Sequence, residues 1–151
     1  MSVDMYQTLA HIACLTETFK TNKRYCVVLL ILMELGIATQ HDSYEYLIKT
    51  VLLYCDNPSP VTMRELYSRV ADMYANAVSE AQIEHAIRCA IKAAWKKHDE
   101  SAWIRYFSPG RDGKLEKPSN TEFITRVARV VELWEGCCKD HFNKTCKEDK
   151  V

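Results

Sequence analysis

The chain of 151 residues is 48% hydrophobic with four glycines and four prolines, long enough for one domain with its own core and too poor in turn formers for long loops, so a single, mostly helical domain is expected. Twenty Lys and Arg balance twenty Asp and Glu, which excludes an overall positive field that would draw the protein onto nucleic acid, and any DNA affinity must come from a local patch. Seven cysteines at irregular spacing with no cleavable leader fit a reducing cytoplasm rather than a disulfide scaffold, and the longest apolar run, Val27 to Met33, is too short to cross a membrane.

Met5 to Phe19 carries Tyr6, Leu9, Ile12, Ala13 and Phe19 at helical spacing and reads as a leading helix within an N-terminal extension, residues 1–24. Tyr25 to Leu35 is apolar nearly all round, with Glu34 its one charge and Gly36 placed as a C-terminal cap, and it reads as the most buried helix. Asp42 with Glu45 makes a start like a capping box for a helix from about Ser43 to Cys55, which Asn57-Pro58-Ser59-Pro60 stops.

Two capped amphipathic helices follow. Thr62 to Tyr74 has a capping box in Thr62 and Glu65 and a hydrophobic staple from Val61 to Leu66. After a short turn, Ser79 to Trp95 has its own box in Ser79 and Gln82 and a staple from Val78 to Ile83. Ile83, Ala86, Ile87, Ala90, Ile91 and Ala94 form its inward stripe, while Gln82, His85, Arg88, Cys89, Lys92 and Lys96 lie opposite. This is the outline of a helix-turn-helix, and equally of an ordinary αα-hairpin with a solvated face.

Beyond it, Asp99 caps a short helix with Trp103, Tyr106 and Phe107, an aromatic cluster expected to close the core. Ser108 to Lys117 is a loop. Ser119 with Glu122 starts a last helix, Asn120 to Trp134, that buries Phe123, Ile124, Val127, Val130 and Val131. Residues 136–151 read as a polar tail containing cysteines. The expected architecture is all-α, a compact multi-helix bundle that contains the helix-turn-helix.

From about Val27 to Leu133 the chain resembles the C-terminal DNA-binding effector domain of the stage-zero sporulation master regulator of endospore-forming bacteria. Three segments carry the resemblance: MELGI at Met33 to Ile37, IEHAIRCAIKAAW at Ile83 to Trp95, and KPSNTEFI at Lys117 to Ile124. It implies an effector domain over residues 25–135 whose second paired helix enters the major groove of a promoter box, with a homodimer on tandem boxes. By position it implies base contacts from Gln82, Glu84, His85, Arg88 and Cys89, and phosphate contacts from Arg64 and Lys117. The chain departs from the family at Gln82 and His85, where arginine is typical, and at Cys89, where histidine is typical. The turn between the paired helices reads as about two residues longer than the family's, and the receiver domain of that family has no counterpart here, so control by phosphorylation of this chain is not expected.

The residue chemistry stands beside the resemblance. The planar fork of Arg88 fits guanine O6 and N7, and the amide of Gln82 fits adenine N6 and N7. Lys92 and Lys96, with Lys97, lie where a helix leaves the groove and meets phosphate. Between Ser79 and Lys97, Arg88 and these three lysines oppose Glu80 and Glu84, so the patch is only weakly positive. That balance keeps a second class open: a helical protein-interaction module derived from the same fold, acting as an antagonist or adaptor.

Cys137, Cys138, His141 and Cys146 lack the paired C-x-x-C knuckles of a structural zinc site, and adjacent cysteines serve one tetrahedral site poorly, so no metal is expected. There is no Gly-rich phosphate loop, nucleophile elbow or pair of carboxylates in an apolar setting. Neither catalysis nor a cofactor is expected, and His11, His41 and His98 read as surface or capping residues.

Overall fold

A computed structural model describes residues 23–57, 61–75 and 77–148, with side chains described as far as Gly136. The expected leading helix at Met5 to Phe19, the prolines at 58 and 60 and the side chains of Cys137, Cys138, His141 and Cys146 lie outside the described residues.

All regular elements among the described residues are helices: α1 (Lys23–Glu34), α2 (Ser43–Asp56), α3 (Met63–Asp72), α4 (Glu80–Lys96), α5 (Glu100–Trp103) and α6 (Asn120–Glu148). The end of α1 follows from Gly36, whose φ of 83° lies in the left-handed region open to glycine. The Ile37 N–H then reaches back to the Leu32 carbonyl at 2.9 Å and the Gly36 N–H to the Met33 carbonyl at 3.1 Å. This is a Schellman motif, and its usual apolar contact is supplied by Leu32 and Ile37, both buried.

The most central helix is α2, not α1. It packs against α1, α3, α4 and α6, and Leu47, Ile48 and Val51 are completely buried. Thr50 is buried on the same side and satisfies its hydroxyl on the Tyr46 carbonyl one turn back, at 2.6 Å. The flanking helix α1 sends Cys26, Val28, Ile31 and Leu32 inward, but Val27, Leu29, Leu30 and Met33 are only half-buried. Its apolar surface exceeds what two neighbours, α2 and α6, can cover.

Three further expectations are corrected. Asp42 is not a side-chain cap, because its backbone is already helical at φ −60°, ψ −20° and its carboxylate makes no capping bond. A capping side chain needs an extended backbone to reach forward to the first turn. The last helix continues to Glu148 instead of ending at Trp134. No proline interrupts that stretch, and Gly136 lowers helix propensity without blocking a helix. Within α6, Ala128 is buried and Val130 only half-buried.

The ends of the bundle are closed in two different ways. Trp103 stacks on Phe107 at 5.3 Å and Phe107 on Phe123 at 5.6 Å, joining α5 to α6. Asp99 caps α5 through the Ser101 N–H at 3.0 Å and hydroxyl at 2.7 Å, bonds that hold its carboxyl below the ordinary range. Tyr106 packs half-buried against the core, and its hydroxyl donates to Glu34, which also accepts from Arg105 at 2.6 Å. Burial, then the Glu34 carboxylate, raise its phenol above the ordinary value. At the other end Arg24 bridges Glu135 and Asp56 and so joins α1, α6 and α2.

Leu47→Ala should cost about 2–5 kcal/mol, the range for truncating a fully buried leucine, read as a shift of the urea midpoint at unchanged slope. Gly36→Ala meets no neighbour within 4 Å, so its loss should be conformational alone, about 1 kcal/mol.

Candidate nucleic-acid interface

Of the two capping boxes expected at the paired helices one forms in full, at α4, and at α3 only the Thr62 side chain caps, with no return bond from Glu65. Thr62 accepts the Glu65 N–H at 3.2 Å to start α3. At α4 the box is complete: the Gln82 N–H donates to Ser79 Oγ at 3.2 Å, and the Ser79 N–H donates to Gln82 Oε1 at 2.8 Å. Ile83, Ile87, Ile91 and Ala94 form the buried stripe of α4. With that stripe fixed in the core, Gln82, His85, Arg88, Cys89, Lys92 and Lys96 are left exposed on the other side. Ala86 and Ala90 are half-buried; with Gln82 and Cys89 they line one wall of a groove of about 760 Å³ whose other wall includes His41 and Asp42.

What aims α4 comes from outside it. Asn120, the first residue of α6, donates from its amide to the Glu84 carbonyl at 3.1 Å and to the Tyr67 hydroxyl at 3.3 Å. One side chain thereby ties the start of α6 to the middle of α3 and the first half of α4. The turn is anchored by Tyr74, whose ring meets Tyr46 edge-on at 5.2 Å. Lys49 Nζ donates to the Tyr74 hydroxyl at 2.7 Å, and that hydroxyl donates to Glu45 at 3.3 Å. Neither Asn120 nor Tyr74 stands out in the sequence as a positioning residue. The one hint is Asn120 directly after the capping serine Ser119, where its side chain can reach beyond its own helix. At the far end His98 stacks on Trp95 at 3.9 Å and its Nδ1–H donates to the Trp95 carbonyl at 2.6 Å, so this histidine caps α4.

The structure brings Glu84, His85, Arg88 and Cys89 together. Arg88 Nε lies 3.7 Å from Glu84 Oε1, its NH2 group lies 2.9 Å from His85 Nδ1, and His85 Nε2 lies 3.5 Å from Cys89 Sγ. Gln82 lies apart from them, its carbonyl oxygen committed to the cap. Arg64, with 85% of its side chain exposed, reaches across from α3 to Glu80 at 2.9 Å. Lys92 and Lys96 stand exposed along the second half of α4, and Lys117 is exposed in the segment ahead of α6. Both acidic residues of the first half of α4 are thus paired with the two arginines, and its cationic character is concentrated towards the C-terminal end. Burial pushes the Cys55 thiol up to about 11 and raises that of Cys26, so both stay protonated and inert near neutral pH. Cys89, by contrast, is exposed.

The family model described as the C-terminal domain of the sporulation initiation factor Spo0A matches residues 28–131. The chain belongs to this family. The matched stretch takes in the whole of α2 to α5, most of α1 and the core-forming part of α6. The Spo0A C-terminal family consists of DNA-binding transcription-regulator domains in sporulation and not of enzymes. Among the described residues no helix is long and apolar enough to cross a membrane, and no group of three or more His, Cys, Asp or Glu side chains is placed to hold a metal ion.

Two variants test how the paired helices are set. Ser79→Ala should lower stability by about 1 kcal/mol, the usual loss for a capping serine. Ala75, in the turn, has a φ of 52°, a conformation costing an alanine about 1–2 kcal/mol. Ala75→Gly should relieve part of that and raise stability by about 0.5 kcal/mol once glycine's greater unfolded freedom is counted. A fall in the thermal midpoint of this variant would rule out strain in the turn.

Proposed function

We propose that this Spo0A-family domain is a sequence-specific transcriptional regulator that reads a promoter box in duplex DNA with the exposed face of α4. The observation that carries the reading is the division of that helix: one stripe of isoleucines sealed in the core, and opposite it a continuous row of donors ending in lysines. Arg88 is the guanine reader. Lys92, Lys96, Arg64 and Lys117 meet phosphate, and the N-terminus of α4 adds the positive end of its dipole.

Gln82 is cast in a different part from the one its residue type suggests. An adenine edge needs both the oxygen and the nitrogen of the amide, and the Ser79 N–H takes one of the oxygen's two lone pairs and ties the amide to the helix start. In this reading Gln82 holds the helix start and offers its NH2 group alone. The exposed pairs Arg64–Glu80 and Arg88–Glu84 lower the net charge of the face, which predicts weak binding to arbitrary DNA and a shallow salt dependence.

The same pairing favours a second reading, in which the domain has lost base readout and binds another protein. Fluorescence anisotropy separates the two. A duplex carrying a sporulation-type box should bind in preference to a scrambled duplex at both low and moderate salt, and Arg88→Ala should remove that preference, about 1–3 kcal/mol, while leaving the thermal midpoint in place. Equal binding of the two duplexes by the wild-type chain, lost on adding salt, would favour the protein-binding reading.

A further inference from the structure

A guanidinium carries five N–H bonds and has no lone pair to offer, so Arg88 can only donate. His85 Nδ1, 2.9 Å from the Arg88 NH2 group, is therefore the acceptor and carries no proton. In the neutral ring the proton then sits on Nε2, which lies 3.5 Å from Cys89 Sγ and donates to it. The imidazole is oriented at both ends by residues on its own face of the helix. Arg88 in turn is held between the ring nitrogen of His85 and, at 3.7 Å, the carboxylate of Glu84, with 58% of its side chain still open to solvent.

An arginine free on a helix surface must freeze several rotatable bonds when it docks, and one already held loses less on binding. A held fork also presents its donor pair in a preferred direction, which discrimination between bases requires.

We propose that His85 is a positioning residue and not a base contact: its unprotonated Nδ1 aims the Arg88 guanidinium, so that an acceptor at position 85 sets how strictly Arg88 selects guanine. The inference rests on the reading of Arg88 as the base reader, and it assigns the role to a lone pair and not to charge. Asparagine carries an acceptor oxygen at the same branch point as histidine Nδ1. Lysine has no acceptor, repels the guanidinium and adds a positive charge close to the phosphates.

The test is selection from a pool of duplexes randomised over a ten-base-pair window, with the full chain as wild type and as Arg88→Ala, His85→Asn and His85→Lys. Residue 85 is exposed, so all variants should fold, and a thermal melt verifies it. The wild type should enrich a guanine position that Arg88→Ala no longer enriches. His85→Asn should retain it. His85→Lys should discriminate there about tenfold less, within the range one bidentate contact supplies, while binding unselected duplex more tightly. His85→Lys that selects the guanine as strictly as wild type would overturn the inference, as would His85→Asn that loses it. Failure of the underlying reading shows separately: the wild type would enrich no duplex, or Arg88→Ala would enrich the same one, and the inference would go with it.

Discussion

The removal of Leu47, Ile48 and Val51 from water is the constraint on which the other elements depend. These residues lie on α2, which touches α1, α3, α4 and α6. Fully burying a side chain of this size is worth roughly 1.5–3 kcal/mol, far more than any exposed ion pair on the surface. Any arrangement that keeps α2 covered must turn the isoleucines of α4 towards it. Once Ile83, Ile87 and Ile91 are inside, helical geometry leaves the polar row of α4 no place but solvent. The outward face is therefore a consequence of the core and needs no contact of its own to maintain it.

Weak, local bonds govern that face, which suits a surface that has to exchange partners. The Arg64–Glu80 and Arg88–Glu84 pairs are solvent-exposed, and pairs of this kind contribute about 0–1 kcal/mol each. Replacing them with phosphate or base contacts costs little. The capping bond of Gln82 differs, because it starts the helix that presents the face. Breaking it would loosen the start of the helix that presents the face.

The aim of the helix depends on polar contacts from distant parts of the chain. Asn120 ties the first half of α4 through the Glu84 carbonyl and Tyr74 fixes the turn through Tyr46, Lys49 and Glu45, while the C-terminal end is closed locally by His98. Each satisfies a group that would otherwise compete for solvent, and no side-chain polar atom among the described residues is left buried without a partner. The domain thus combines a stiff mount with a labile face.

Several features were legible in the amino-acid order because short-range chemistry decides them. The Ser79–Gln82 box, the Thr62 and Asp99 caps and the left-handed Gly36 each involve groups a few residues apart, and the isoleucine stripe follows from a repeat of 3.6 residues. The family-like segments MELGI, IEHAIRCAIKAAW and KPSNTEFI all lie within the matched stretch. Other features rest on contacts the order does not reveal. Asp42 has a capping residue's chemistry but a helical backbone. The apolar composition of α1 suggested a centre, yet α2 occupies it because burial depends on how many neighbours pack around a helix and not on its own hydrophobicity. The roles of Gln82, His85 and Arg88 likewise turn on which donors meet which acceptors once the side chains have rotamers. Periodicity determined which face of α4 is outward and helical spacing which of its side chains can meet; only the tertiary structure decided how the helix is aimed, because Asn120 and the partners of Tyr74 lie 25 or more residues away in the chain and only the fold brings them together.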